Sequence, residues 1–181
     1  MIKGDRLLAR EHVVEDMNSY LEWQCDPVIG KHLDWLPRNK KNAKKSLMEA
    51  IAEQGRSDRK KYFFALERTE DGIVVGEVGI SIVFPKVADI GWFIQKEYQG
   101  KGYATEGAKL MISFSLSVGI ERLQASCLEE NYESKRVMEK SGFQIARISE
   151  SRIWYDLNLS EGKNSANQAP QATSASARRL H

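Results

Sequence analysis

The chain has little of several things, and each shortage excludes something. Cysteine is scarce: Cys25 and Cys127 lie far apart and have no Cys-x-x-Cys partner. That excludes a disulfide framework and a thiol redox motif, and leaves two reduced, packing cysteines in a cytoplasmic protein as the expectation. His12, His32 and His181 form no ligand cluster with them, so no metal site is expected. No apolar run approaches the roughly 18–20 residues of a membrane-crossing helix. Met1 to Arg6 lack the apolar run of a secretory signal. Excess charge is missing too, because 27 Lys and Arg against 25 Asp and Glu leave a net charge of +2. That balance does not point to nucleic acid. Neither nucleic acid nor membrane is an expected partner, and no internal repeat occurs.

What is present suits one domain: 181 residues, 41% of them apolar, are enough for a single core. Leu7 to Ala9 reads as a short strand. Val13 to Asp26 reads as a helix with Met17, Tyr20, Leu21 and Trp23 inward, ended by Pro27. Residues 28–37 are apolar without a period; they either pack between two helices or border a binding cleft. Asn39 or Asn42 is the expected cap of a second helix running to about Gln54. Lys40, Lys41, Lys44 and Lys45 stand at its start, and Arg56, Arg59, Lys60 and Lys61 follow it. Such runs are solvated faces first; their functional reading is repulsion of polycations or attraction of acidic molecules.

Strands are expected over Tyr62–Arg68 and Ile73–Phe84, with Glu70-Asp71-Gly72 as the hairpin turn between them. Pro85-Lys86 turns the chain into a central strand, Ala88–Gln95. A helix follows from Tyr103 to about Val118, stopped by Gly119. Then come a strand over Arg122–Leu128, a helix over Ser134–Ser141 and a closing hairpin of Gln144–Ser149 and Arg152–Asn158. Strand, helix, strand is a mixed α/β pattern. From Gly162 to His181 the chain is Ser, Ala, Asn and Gln without an apolar period. Such a composition cannot bury enough to offset its ordering entropy. The expected organisation is one domain over residues 1–160 and a disordered tail over 161–181.

The stretch that organises the chain is Gln99-Gly100-Lys101-Gly102-Tyr103-Ala104. It sits between the central strand and a helix. Two glycines let the backbone pass close to an anion, and the free amides of a helix start face negative charge. A plain tight turn is the other reading. A Rossmann fingerprint fails because Thr105 stands where the third glycine belongs, and a P-loop fails because Gly102 follows Lys101.

The stretch resembles the signature of the GNAT superfamily of acetyltransferases: Gln or Arg, two residues, Gly, one residue, then Gly or Ala. Gln99, Gly102 and Ala104 fill those places. The run Asn131-x-x-Ser134-x-x-Val137-x-x-Lys140-x-Gly142-Phe143 is similar to that superfamily as well. It is closest to the branch of ribosomal-protein N-terminal acetyltransferases and spermidine acetyltransferase. The resemblance covers most of residues 1–160. It implies a GNAT acyl-CoA N-acyltransferase fold, a mixed α/β domain whose mostly antiparallel sheet is flanked by helices.

It also implies acetyl transfer from acetyl-coenzyme A to a primary amine by direct attack in a ternary complex. The pyrophosphate would sit on the amides of Gln99, Gly100, Lys101, Gly102, Tyr103, Ala104 and Thr105. The pantetheine arm would pair with Trp92, Phe93 and Ile94 like an added strand, one amide there serving as oxyanion donor. Core packing is the plain reading for Trp92 and Ile94, and both readings can hold. Asn131, Ser134 and Lys140 match the second contact, near the thioester; a helix cap is the alternative for Asn131. Many relatives carry a general-acid Tyr where this chain has Met138, and a thioether donates no proton. Ser134 is therefore the expected acid. Asp89 is the expected base, with Glu150 as the other carboxylate. An acyl-enzyme on Cys127 is the rival route, and no His–Asp set near it in sequence supports that.

The acceptor is expected to be a protein N-terminus or a small amine, aminoglycoside-like compounds included. The basic clusters and Met138 argue against spermidine. The other class of function is a non-catalytic acyl-coenzyme A-binding or regulatory module. Monomer and homodimer both stay open.

Overall fold

The structure is a computed structural model that describes residues 1–26 and 39–160. The apolar connection at 28–37 and the tail lie outside the described residues. Eight strands form one sheet in the order β1-β2-β3-β4-β5-β6-β8-β7. They are β1 (Ile2–Lys3), β2 (Leu7–Glu11), β3 (Lys61–Arg68), β4 (Val74–Phe84), β5 (Val87–Ile94), β6 (Arg122–Leu128), β7 (Gln144–Ser149) and β8 (Arg152–Asn158). The helices are α1 (Met17–Gln24), α2 (Lys40–Ala52), α3 (Tyr103–Ser117) and α4 (Tyr132–Lys140). Among the described strands only the β5–β6 pair is parallel, joined through α3.

Alternation along the strands decides what each face buries. Phe64 and Leu66 of β3, Val78 and Ile80 of β4, and Ala88 and Ile90 of β5 pack toward Met111 of α3 in the main core. Ile94 belongs to that core and Trp92 packs against it. Phe93 points the other way, into a second cluster with Tyr20 and Trp23 of α1 and Ala43 and Leu47 of α2. Its ring stacks on Trp23 at 4.7 Å between centroids. β5 is thus held from both faces.

The first helix is shorter than its sequence suggests. A 3₁₀ turn over Val14–Asp16 precedes α1. Asp16 Oδ2 accepts from the Val13 N–H at 2.9 Å, so this acid organises the entry turn before the α-helix starts. Asn39 caps α2, its Oδ1 accepting from the Asn42 N–H at 2.9 Å. The short β1 strand carried no sequence signal.

Candidate functional site

β5 and β6 pair only through Val87–Asp89 and Arg122–Gln124. Beyond Asp89 the strands part. The β5 edge from Ile90 to Ile94 then has β4 on one side and, among the described residues, no strand on the other. Edge amides and carbonyls without a strand partner are a template for an extended ligand. A cleft of about 530 Å³ opens at this fork.

The sequence-derived candidates divide into those lining the cleft and those around it. Asp89, Trp92 and Phe93 line it from β5, and Asn131, Ser134 and Met138 line it from α4. Cys127 lines it from β6 and is buried. Burial pushes the Cys127 thiol up, against the pull of Lys135 and Arg152, which disfavours the thiolate an acyl-enzyme would need. Ile94, the last residue of β5, and the segment Gln99–Thr105 beyond it lie outside the cleft lining. Lys140 is the exposed last residue of α4, also outside it. Glu150 sits in the β7–β8 turn, exposed and outside the cleft lining.

Past β5 the chain makes a 3₁₀ turn over Lys96–Tyr98 and reaches the glycine stretch. Gly100 and Gly102 both have left-handed φ, 73° and 84°. This conformation, which a Cβ disfavours, is what the two glycines supply. Gly102 is the N-cap of α3 and offers no side-chain cap. The first amides of α3 therefore keep their donors for an anion. Gln99 braces the strand end, its Nε2 donating to the Ile94 carbonyl at 2.9 Å.

Sequence reasoning missed the brace behind this turn. Glu106, in the first turn of α3, accepts from the Arg6 N–H at 2.7 Å, the Leu7 N–H at 3.0 Å and Arg6 Nε at 2.9 Å. Arg6 Nη1 donates to the Lys101 carbonyl at 2.9 Å, and the guanidinium lies over the Tyr103 ring. A charge-assisted fork thus ties the glycine turn to the start of β2. The contact spans about a hundred residues, and no local spacing announces it.

Asn131 caps α4: its Oδ1 accepts from the Ser134 N–H at 3.0 Å. The capping reading holds for that oxygen, while both residues still line the cleft. Asp89 is exposed by area, yet the surrounding walls withhold enough water to push its carboxyl above the ordinary value.

A second acid network was also invisible in the sequence. Glu77 of β4 lines the cleft and is 9% exposed. Its Oε2 lies 2.7 Å from His12 Nε2. His12 Nδ1 stands 3.4 Å from Asp16 Oδ2, an ion-pair distance without hydrogen-bond alignment. Burial alone would lower the imidazolium pKa, but the Asp16 and Glu77 carboxylates outweigh it and raise it to about 9. Asp16 is held well below the usual carboxylate range: burial opposes this, and Arg10 and His12 overcome it.

The lysine clusters need a correction. α2 turns Ser46, Glu49, Ala50 and Glu53 into the cleft, and none of Lys40, Lys41, Lys44 and Lys45 lines it. In the second cluster Arg59 is buried and held by Glu11 through two bonds, at 2.5 and 3.0 Å. Arg56 is held by Asp58. Lys61 of that cluster does line the cleft, so in the described lining the repulsive reading narrows from the two runs to this one residue.

Among the described residues no group of three or more His, Cys, Asp or Glu could hold a metal, and no helix is long and apolar enough to cross a membrane.

Known proteins share this architecture. The chain is 28% identical over 161 residues to the uncharacterized N-acetyltransferase YnaD of Bacillus subtilis, covering 86% of this chain and 92% of that one. Spermidine N-acetyltransferase of Vibrio cholerae, solved with CoA and spermine, superposes with a TM-score of 0.74 at 16% identity, over 87% of this chain and 98% of that one. Ribosomal-protein-S5-alanine acetyltransferase of Vibrio fischeri superposes with a TM-score of 0.71 at 16% identity, over 87% and 95%. At such identities these two likenesses are of fold. The family model for the acetyltransferase (GNAT) domain matches residues 6–144. This chain is a member of the GNAT acetyltransferase family.

Proposed function

We propose that this acetyltransferase moves the acetyl group of acetyl-coenzyme A to a primary amine by direct attack in a ternary complex. The observation that carries the reading is the fork. It leaves the β5 edge from Ile90 to Ile94 without a strand partner on one side and leads straight to two left-handed glycines and the uncapped start of α3. That order fits an extended arm ending in phosphates. Gln99 to Thr105 would hold the pyrophosphate, and Trp92, Phe93 and Ile94 would pair with the arm through their backbone. Lys140, on the exposed end of α4, would sit at the rim of the donor site.

In this arrangement the thioester carbon lies in the fork, between Asp89 and Ser134. Asp89 takes the proton from the acceptor ammonium, directly or through water, and its raised carboxyl suits that task. The amine nitrogen bonds to the carbonyl carbon, the C–S bond breaks, and the nitrogen sheds its second proton, which restores the Ser134 hydroxyl or passes to solvent. The Ser134 hydroxyl gives its proton to the departing sulfur or holds the thioester in place. A thiol with a pKa of about 8.5 leaves tolerably as thiolate, so a weak acid suffices where Met138 replaces a phenol. Holding two substrates in one cleft supplies several kcal/mol of the barrier. The downstream pattern from Asn131 to Phe143 resembles that of the branch of N-terminal and polyamine acetyltransferases, which supports a protein N-terminus or a small amine as the acceptor.

An acceptor screen with acetyl-coenzyme A, followed by release of free thiol, tests this. Amine-dependent thiol release is expected. Tight coenzyme A binding with no thiol release across peptides and small amines would leave only a binding module.

A further inference from the structure

We propose that the acceptor is a small amine bearing a second positive charge, and that Glu49 of α2 and Glu53, its C-cap residue, hold that charge. The proposal rests on the acetyl-transfer reading of the cleft and adds the class of acceptor. Ser46, Glu49, Ala50 and Glu53 follow the i, i+3, i+4, i+7 spacing of one helix face, and that face looks into the cleft. The described lining holds four carboxylates, Glu49, Glu53, Glu77 and Asp89, against one cation, Lys61.

The four do not count equally. Glu77 is answered by His12 at 2.7 Å. Glu49 meets Lys45 at 3.6 Å with both side chains mostly exposed, a weak and screened pair. Glu53 is half-buried and has no ion pair among the described residues. Asp89 stands on another wall, on β5, and is assigned to the reacting amine. Lys61 lies on the same sheet row as Asp89, through Ser81, and offsets charge on that side. What remains on the α2 wall is negative charge that, among the described residues, meets exposed cations, Lys45 and Arg56.

A different kind of observation points the same way. Gln24 of α1 also lines the cleft, is 2% exposed, and its Oε1 has no hydrogen-bond partner among the described residues. A buried acceptor without a donor is rare in a folded protein. An ammonium is a donor and nothing else. The acceptor side of the cleft therefore offers carboxylates and an orphaned carbonyl oxygen, and it asks for a cation. A cleft of about 530 Å³ is the size of a small-molecule site and far larger than one ammonium.

The test compares 1,6-diaminohexane with 1-aminohexane, which differ only in the second charge. Their affinities for the coenzyme A-bound full chain are read by isothermal titration at low and high salt. The diamine should bind about tenfold tighter at low salt, and the advantage should shrink as salt screens it. Glu53→Gln, which keeps the side chain's shape, should bring the two amines to within about twofold of each other, and Glu49→Gln should narrow the gap less. Equal affinities in the unaltered protein, no detectable binding of either amine, or a preference that survives both substitutions would overturn the proposal. Thiol release with the same two amines separates it from the acetyl-transfer reading. A diamine preference without thiol release removes acetyl transfer and keeps the charge wall. Equal kcat/KM for both amines keeps acetyl transfer and removes the wall.

Discussion

Ser134 and Asp89 both line the cleft, one on α4 and one on β5, and their roles predict different signatures. If Ser134 serves the leaving sulfur, Ser134→Ala should lower kcat about 10²-fold, the low end for general acid catalysis, while coenzyme A affinity holds. Steady-state kinetics beside titration of coenzyme A reads this. An unchanged kcat would reduce Ser134 to a residue of the helix start whose N–H the Asn131 cap engages. Asp89 should show itself in pH. A base works only when deprotonated, so kcat/KM should rise with pH through the Asp89 pKa, which burial has moved above the ordinary carboxylate value. Asp89→Asn should abolish that acid limb and slow the reaction across the whole range. A limb that persists in the variant would belong to another group.

At the scale of elements, the sequence showed the parts and concealed their angles. Alternation and turn chemistry marked β6, β7 and β8 at Arg122–Leu128, Gln144–Ser149 and Arg152–Asn158, where the structure has them. The glycine stretch and the Asn131 motif were legible because their chemistry is local. The parting of β5 from β6 was not, since a strand's own pattern does not say where its neighbour leaves it. Nor was the pairing of His12 with Glu77, 65 residues apart. The lysines of α2 were plain to see, but only packing against the sheet decides that the glutamate face turns inward.

The turn itself gives a test. Gly102→Val forces a β-branched residue into φ of 84°, beside Arg6. Titration should show coenzyme A affinity falling strongly, and unaltered affinity would end the phosphate-cradle assignment. The His12 network gives another. The folded pKa of about 9 lies above the unfolded value, so the stabilising charge is fully present below about pH 6.5 and is lost as pH rises toward 9. The melting temperature of the unaltered protein should therefore fall between pH 7 and 9.5. In His12→Gln the fall should flatten, even if that variant starts lower.

For the whole molecule, β5 is the shared member. The main core grips it from the α3 side, and the Tyr20–Trp23–Leu47 cluster grips Phe93 from the other. Strand β4 closes one edge, which leaves the other edge to the cleft. A ligand lying on that edge would join the β1–β5 part of the sheet to the β6–β8 part beyond their short pairing at residues 87–89. Coenzyme A should therefore stabilise the whole domain by mass action. At a hundredfold excess over Kd the gain is about 2.7 kcal/mol. That corresponds to roughly 5–10 °C in a domain of this size. The location of the effect is more telling than its size. Hydrogen exchange with and without coenzyme A should slow in two places at once: the β5 edge over residues 90–94, and the helix start over residues 100–105. Protection of the second alone would mean that phosphates bind without the arm lying on the strand. Stabilisation with neither segment protected would put the donor elsewhere on the molecule, and the fork would lose its role.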